Sequence, residues 1–92
     1  MKYIAYFKMN PEDIDKVLAK YNVIQEERRK HPDMYPKPLS PNYSFSIEKG
    51  FRLYESTEEQ LTNIIKRWIP EIKMTFVAIF NNIDIFEGMD SE

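Results

Sequence analysis

The chain has 92 residues, 42% of them hydrophobic and 30% charged, so it holds enough apolar side chains to form a core and is not expected to be disordered. Thirteen basic side chains against fifteen acidic ones give a net charge of -2, which disfavours a basic nucleic-acid-binding domain. Because the chain has no cysteine and no apolar stretch as long as a membrane span, we expect a cytoplasmic protein without disulfides.

The first two elements are predicted to be a strand and a helix. Residues 2–9 are rich in Tyr, Ile and Phe, a composition typical of strands. Asn10 and Pro11 indicate a helix start, because asparagine caps the first turn and proline at the first helical position loses no hydrogen bond. The helix is predicted to continue to Lys30 and stop at Pro32. Its apolar side chains recur at helical spacing: Ile14, Val17, Leu18, Tyr21 and Ile24.

A proline-rich connector and a hairpin are predicted next. Four prolines between residues 31 and 41 exclude a helix or a central strand there. In the hairpin, a three-residue loop ending at Gly50 would pair Ile47 with Phe51 and keep the apolar side chains on one face, with Gly50 in the left-handed conformation. That register points Phe51 toward the helices. It leaves four side chains on the other face: Ser44, Ser46, Arg52 and Tyr54.

The second half of the chain predicts another helix and a last strand. Ser56 and Glu59 have the spacing of a capping box, and an apolar stripe runs from Leu61 to Ile69 before a proline. Residues 72–80 alternate as a strand. The order β-α-β-β-α-β predicts a ferredoxin-like α+β sandwich, with a four-stranded antiparallel sheet and both helices on one face. Strands one and three would be central in the sheet. We expect a single domain over residues 1–92, with a frayed end at residues 87–92.

The open face of this sheet is predicted to be too apolar for a monomer. Strand one is apolar on both faces, and the last strand adds Val77 and Ile79 at an edge. A second copy packing sheet to sheet would cover them, so we expect a homodimer. The alternative is that the tail folds back through Ile83, Ile85 and Phe86.

Several features resemble one known group of proteins. The hairpin is preceded by the prolines Pro36, Pro38 and Pro41 and contains the pair Gly50-Phe51. The second strand of the hairpin ends in the acid Glu55, the second helix ends in Trp68, and Asp84 follows the last strand. Together they resemble a small uncharacterised family of ferredoxin-like domains in the dimeric α/β-barrel superfamily. Ala78-Ile79 departs from its Pro-Val-like pair. The resemblance implies a ferredoxin-like protomer and a sheet-packed dimer, and it implies no activity.

The candidate ligand site is the semi-polar sheet face. Arg52 could hold a carboxylate, and Tyr6 or Tyr54 could donate a proton to a bound carbonyl compound. The predicted ligand-binding residues are Tyr6, Ser44, Ser46, Arg52 and Tyr54. The alternative is that Arg52 pairs with Glu48 or Glu55 while both tyrosines pack the interface. The sequence thus predicts a small dimeric domain that binds a small metabolite. A cofactorless isomerase- or monooxygenase-like enzyme is the alternative that the superfamily suggests.

Other partners and groups are not expected. The run from Lys49 to Tyr54 resembles the third strand of the RNA-recognition motif, but the register argument directs Phe51 into the core and the net charge is negative, so a nucleic-acid partner is not predicted. His31 is the single histidine and has no metal-ligand partner at suitable spacing. Neither a metal nor a cofactor is expected, and no membrane association is predicted.

Overall fold

A computed structural model describes residues 1–80 of the chain. In chain order the elements are β1 (Lys2–Met9), α1 (Ile14–Lys30), β2 (Lys37–Pro38), β3 (Tyr43–Ser44), β4 (Lys49–Glu55), α2 (Glu58–Trp68) and β5 (Ile72–Ala78). The strands form one open antiparallel sheet in the order β2-β4-β1-β5, and β3 also pairs with β4. The predicted α+β class is confirmed, and the arrangement is consistent with a ferredoxin-like fold. The sheet has five strands where four were predicted, because the proline-rich connector adds the short strand β2. Within the described residues no helix is long and apolar enough to cross a membrane.

The start of α1 differs in detail from the prediction. Pro11–Asp13 form a 3-10 turn before the helix, and the Asn10 side chain makes no capping bond. The backbone amide of Asp13 instead donates to the Asn10 carbonyl at 2.9 Å. The far end agrees with the prediction, since α1 ends at Lys30 and three basic residues occupy its last turn. Those charges complement the negative end of the helix dipole.

The capping box of α2 lies one residue later than predicted. Thr57 accepts a bond from the Gln60 amide, and the Gln60 side chain accepts one from the Thr57 amide. Ser56 cannot serve as the cap because it continues the pairing of β4: its amide donates to the Met1 carbonyl at 2.9 Å. The Ser56 side chain is buried.

The hairpin is the element that the sequence predicts least well. Tyr43 lies opposite Phe51, whereas the predicted register placed Ile47 there. The chain turns over residues 45–48, where the Phe45 amide donates to the Lys49 carbonyl at 2.8 Å. Ile47 is 70% exposed in that turn. The predicted register was wrong because β3 has only two residues, so apolar alternation up to Ile47 reflects a turn and not a half-buried strand.

The sheet therefore has one covered face and one open face. Both helices pack on the covered face, where Val17 and Ile24 of α1 join Ile64 and Trp68 of α2 in the buried core. The strands add Phe7, Met9, Met74 and Phe76 to that core. Residues opposite one another in neighbouring strands share a face, so Arg52 and Tyr54, opposite Ala5 and Tyr3, also lie on the covered face. Phe51 lies on the open face.

Candidate functional site

The structure separates the five predicted site residues. The prediction that Arg52 and Tyr54 face the open side is wrong, because the register of β4 on β1 turns them toward the helices. Ser44 lies opposite Gly50 and therefore also on the covered face. Tyr6 lies on the open face opposite Phe51, and Ser46 lies in the turn, where its hydroxyl accepts a bond from the Glu48 amide at 3.2 Å. Three of the five residues therefore come together and two do not.

Those three residues line a cavity between α1 and the covered face, which we call the helix pocket. Its volume is about 370 Å³. Most of its wall is apolar: Phe7, Met9, Val17, Leu18, Ile24, Trp68, Ile72 and Met74. Six polar side chains complete it: Tyr21, Arg28, Asn42, Ser44, Arg52 and Tyr54. An apolar cavity with a few polar groups is the usual make-up of a small-molecule site.

Arg28 enters the pocket from α1 and is the last residue of a hydrogen-bonded chain of polar side chains on that helix. Its Nη1 group donates to Gln25 Oε1 at 2.7 Å, and Gln25 Nε2 donates to the Tyr21 hydroxyl at 2.9 Å. The spacing of these residues is i, i+4 and i+7, so they share one face of the helix. The buried Nε group of Arg28 has no hydrogen-bond partner among the described residues.

Arg52 enters the pocket from β4. Its Nε group donates to the Ser40 carbonyl at 2.8 Å, and its guanidinium carbon lies 5.7 Å from the centre of the Tyr54 ring. The Ser40 hydroxyl also accepts a bond from the Leu53 amide at 2.9 Å, so this loop is tied to β4 twice. The planar guanidinium is thus held in place, with donor capacity left over.

Neither arginine has an acidic partner within residues 1–80. The ion pairs in that part of the chain involve Lys20, Arg29, Lys30 and Arg67. The predicted alternative, a pair between Arg52 and Glu48 or Glu55, does not form there, since Glu55 lies opposite Lys2 on the open face. Burial lowers the pKa of Arg28 from its ordinary value, and the nearby charge of Arg52 acts in the same direction.

Tyr54 is the pocket's buried phenol. Burial raises its pKa above the ordinary value, although the positive charges of Arg52 and Arg28 oppose that rise. The hydroxyl therefore stays protonated at neutral pH and can act as a hydrogen-bond donor. With two guanidinium groups, a neutral phenol and no carboxylate in its lining, the helix pocket is suited to an anionic group attached to an apolar body.

Tyr21, Arg28 and Asn42 are the polar pocket residues that the predicted site does not include. The helix dipole is sufficient to explain a basic residue at position 28, so the sequence does not single out Arg28 as a ligand-binding residue. The signal that could have found it is its spacing of seven residues from Tyr21, which places both on the apolar side of α1. His31 follows the helix and is exposed. Among residues 1–80 no group of three or more metal-ligating side chains could hold an ion.

No protein-family model, curated protein or solved structure matches this chain. The helix pocket is consequently interpreted from its own residues alone.

Proposed function

We propose that the protein is a binding module for a small organic anion, with the ligand's apolar body and its acidic group both held in the helix pocket. The observation that carries the proposal is the pair Arg28 and Arg52, two guanidinium groups at one apolar cavity without an acidic partner in residues 1–80. The sequence analysis predicts Arg52 as a ligand for an anion, and the pocket supplies a second arginine that can bind the same group.

The energetics favour a carboxylate or similar group at this position. A partly buried positive charge without a counter-ion is costly, and a bound anion would offset that cost. Hydrogen bonds to charged groups contribute about 1.5–3 kcal/mol each, more than neutral ones. The cavity of about 370 Å³ is near the lower end for ligand sites, so the ligand should be small.

The test compares acids with their neutral amides. Three probe pairs cover different shapes: 3-phenylpropionate, indole-3-acetate and octanoate, each with its primary amide, measured by calorimetry. We expect at least one acid to bind about 10- to 100-fold more tightly than its amide, which corresponds to about one charge-assisted hydrogen bond. The preference should be lost in Arg28→Gln and in Arg52→Gln.

Arg29→Gln is the matched control for the first variant. Arg29 is the next residue of α1, its side chain is 71% exposed, and it pairs with Glu26 away from the pocket. Its replacement should leave the acid preference unchanged. The proposal fails if no acid binds more tightly than its amide, or if all three variants behave alike.

A catalytic role is the less supported alternative. A cofactorless isomerase- or monooxygenase-like enzyme would need a proton-accepting group beside the ligand. The described lining of the helix pocket offers Tyr21 and Tyr54 and no carboxylate or imidazole. A binding role is therefore the proposal made for this pocket.

The predicted assembly, family and location stay proposals. For the homodimer, the apolar side chains of Ile4, Leu53 and Val77 on the open face are the supporting feature, with Val77 47% exposed. Membership of the dimeric α/β-barrel superfamily rests on the element order and the resemblance described above. The cytoplasmic location rests on the absence of cysteine. Light scattering at micromolar concentration tests the dimer, and a monomer there would overturn it.

A further inference from the structure

The open face of the sheet is basic although the chain is acidic overall. The strand residues on this face follow from the register of β1, β2, β4 and β5. Five of them are lysines and one is a glutamate: Lys2, Lys8, Lys37, Lys49, Lys73 and Glu55. Electrostatic interactions between exposed groups are screened beyond about 8 Å at physiological salt, so this local excess governs what the face attracts more than the net charge of -2 does.

Three of the lysines form a row across one end of the face. Lys8 on β1 lies opposite Lys49 on β4 and opposite Lys73 on β5. All three are exposed, and none forms an ion pair with another residue of the described chain. Like charges directly opposite in a sheet are destabilising, so the fold gains nothing from this row. We call it the lysine row.

An aromatic cluster lies beside the lysine row. Phe51 is its centre, with the Tyr43 ring stacked on it at 5.1 Å and the Phe45 ring at 5.3 Å. Tyr6 lies 6.5 Å from Phe51 on the neighbouring strand and is 42% exposed. Lysine row and aromatic side chains meet in a depression of about 270 Å³, lined by both.

We infer that this open face binds single-stranded nucleic acid, with phosphates on the lysine row and unpaired bases on the aromatic cluster. Proteins that bind single strands combine a positively charged groove with aromatic rings on which bases stack. A sheet with exposed aromatic side chains is one of the surfaces used for this purpose. The inference is independent of the helix pocket, which lies on the other side of the sheet.

The two arguments against nucleic acid in the sequence analysis do not hold for this face. Phe51 was expected in the core, but its register opposite Tyr6 places it on the open face. The net charge of -2 implies weak attraction of phosphates by the chain as a whole, but among residues 1–80 Glu55 is the one acid on the strands of this face. The homodimer proposed above would use the same face, so the two proposals exclude each other there and the experiment has to separate them. A second copy would bring five more lysines to the interface, and the repulsion between like charges disfavours close packing.

The experiment measures binding of labelled U12 and dT12 oligonucleotides by fluorescence anisotropy between 50 and 200 mM salt. We expect both to bind, with affinity falling as salt rises because counterions are released from the strand. Lys8→Gln, Lys49→Gln and Lys73→Gln should each reduce the slope of log affinity against log salt by roughly 0.7. Tyr6→Leu should weaken binding about 5- to 100-fold with the slope nearly unchanged, since stacking on one ring is lost.

Two controls separate lost binding from lost folding. Lys66→Gln changes an exposed lysine of α2, on the other side of the molecule, and should leave affinity unchanged. Lys8→Gln relieves the repulsion within the lysine row, so its melting temperature should equal or exceed that of the wild type while its affinity falls. Loss of binding together with loss of stability in this variant would count against the inference.

Other occupants give different results. A strong dimer by light scattering that binds neither oligonucleotide, and that dissociates on Tyr6→Leu, would overturn the inference in favour of a second copy. Equal affinity for a 12-base-pair duplex, or for anionic vesicles, would show that charge alone is recognised and would also overturn it. A preference for U12 over dT12, or the reverse, would identify the kind of strand and support it.

Discussion

Gly50 lies directly opposite Phe7 in the sheet, and the Phe7 ring occupies the space where a side chain at position 50 would stand. A Cβ atom there would also collide with the Tyr43 carbonyl oxygen. No glycine among the described residues has a positive φ, so the sequence-based prediction of a left-handed Gly50 was wrong. The glycine is needed for close approach of a ring and not for a turn.

Gly50→Ala is therefore expected to destabilise the protein through overpacking. The cost should be about 1–3 kcal/mol, because Phe7 or β3 must shift to admit the methyl group. Urea unfolding measures it, with exposed Lys66→Ala as a control expected within about 0.5 kcal/mol of the wild type. A Gly50→Ala variant as stable as that control would show that the strands separate easily here.

Thr57→Ala should destabilise α2 by about 1 kcal/mol, because it removes the acceptor for the Gln60 amide. Thr57→Ser keeps a hydroxyl in the same position and should recover most of the stability. Thermal unfolding of the two variants separates the capping effect from other effects of substitution. If serine is no better than alanine, the capping bond does not contribute.

The buried and the exposed apolar residues of the two helices should respond very differently to truncation. Ile64 is 1% exposed, whereas Leu18, on the stripe of α1, is 56% exposed. Ile64→Ala should cost about 2–5 kcal/mol, since it leaves a cavity in the core. Leu18→Ala should cost less than about 1 kcal/mol. Chemical denaturation checks both, and similar costs would contradict the packing of α1 described above.

Glu27 should make stability depend on acid pH. Hydrogen bonds from Tyr35 and then from Arg67 lower the pKa of this carboxylate, and the Arg67 contact measures 2.5 Å. Because the pKa is lower in the folded state, the carboxylate stabilises the fold above its ordinary pKa of 4.5 and loses that effect as pH falls through the folded value.

Glu27→Gln should accordingly be less stable than the wild type at pH 7, by roughly 1 kcal/mol since the pair is partly exposed. The difference should shrink as the pH is lowered below 4.5. Melting temperatures of both proteins from pH 7 to pH 3 measure this, with Glu59→Gln as an exposed control. A constant difference across that range would exclude the ionised carboxylate as the cause.

The helices and the first and last strands along the chain were predictable because the local sequence signals agree with one another there. In α1 and α2 the apolar spacing and the flanking prolines both indicate a helix. In β1 and β5 the composition is rich in residues that favour strands. The central place of β1 and β4 followed from the order of elements and the handedness of crossovers. For α2, only the identity of the capping residue was missed, by one position.

Three of the five residues predicted to bind a ligand come together, on the face of the sheet opposite to the predicted one. Arg52, Tyr54 and Ser44 were selected as ligand-binding residues, and the structure brings them together in one cavity. The observed register, with Tyr43 opposite Phe51, differs from the predicted one by an even number of residues, so it leaves the side chains of β4 grouped on the same two faces as predicted. The error was to assign the more apolar of those two faces to the helices, whereas the register of β4 on β1 puts Arg52 and Tyr54 there.

Length, composition and apolar periodicity by themselves determined the α+β class and the two amphipathic helices, since those features depend on neighbours along the chain. Only the tertiary structure decided which side of β4 the helices cover, because strand register depends on contacts such as Phe7 over Gly50, between residues far apart in sequence. The register of β4 on β1 places Arg52 in the helix pocket together with Arg28, and it places Phe51 on the open face beside the lysine row. The hydrophobic residues, 42% of the chain, therefore include both the core under the helices and the aromatic cluster on the open face.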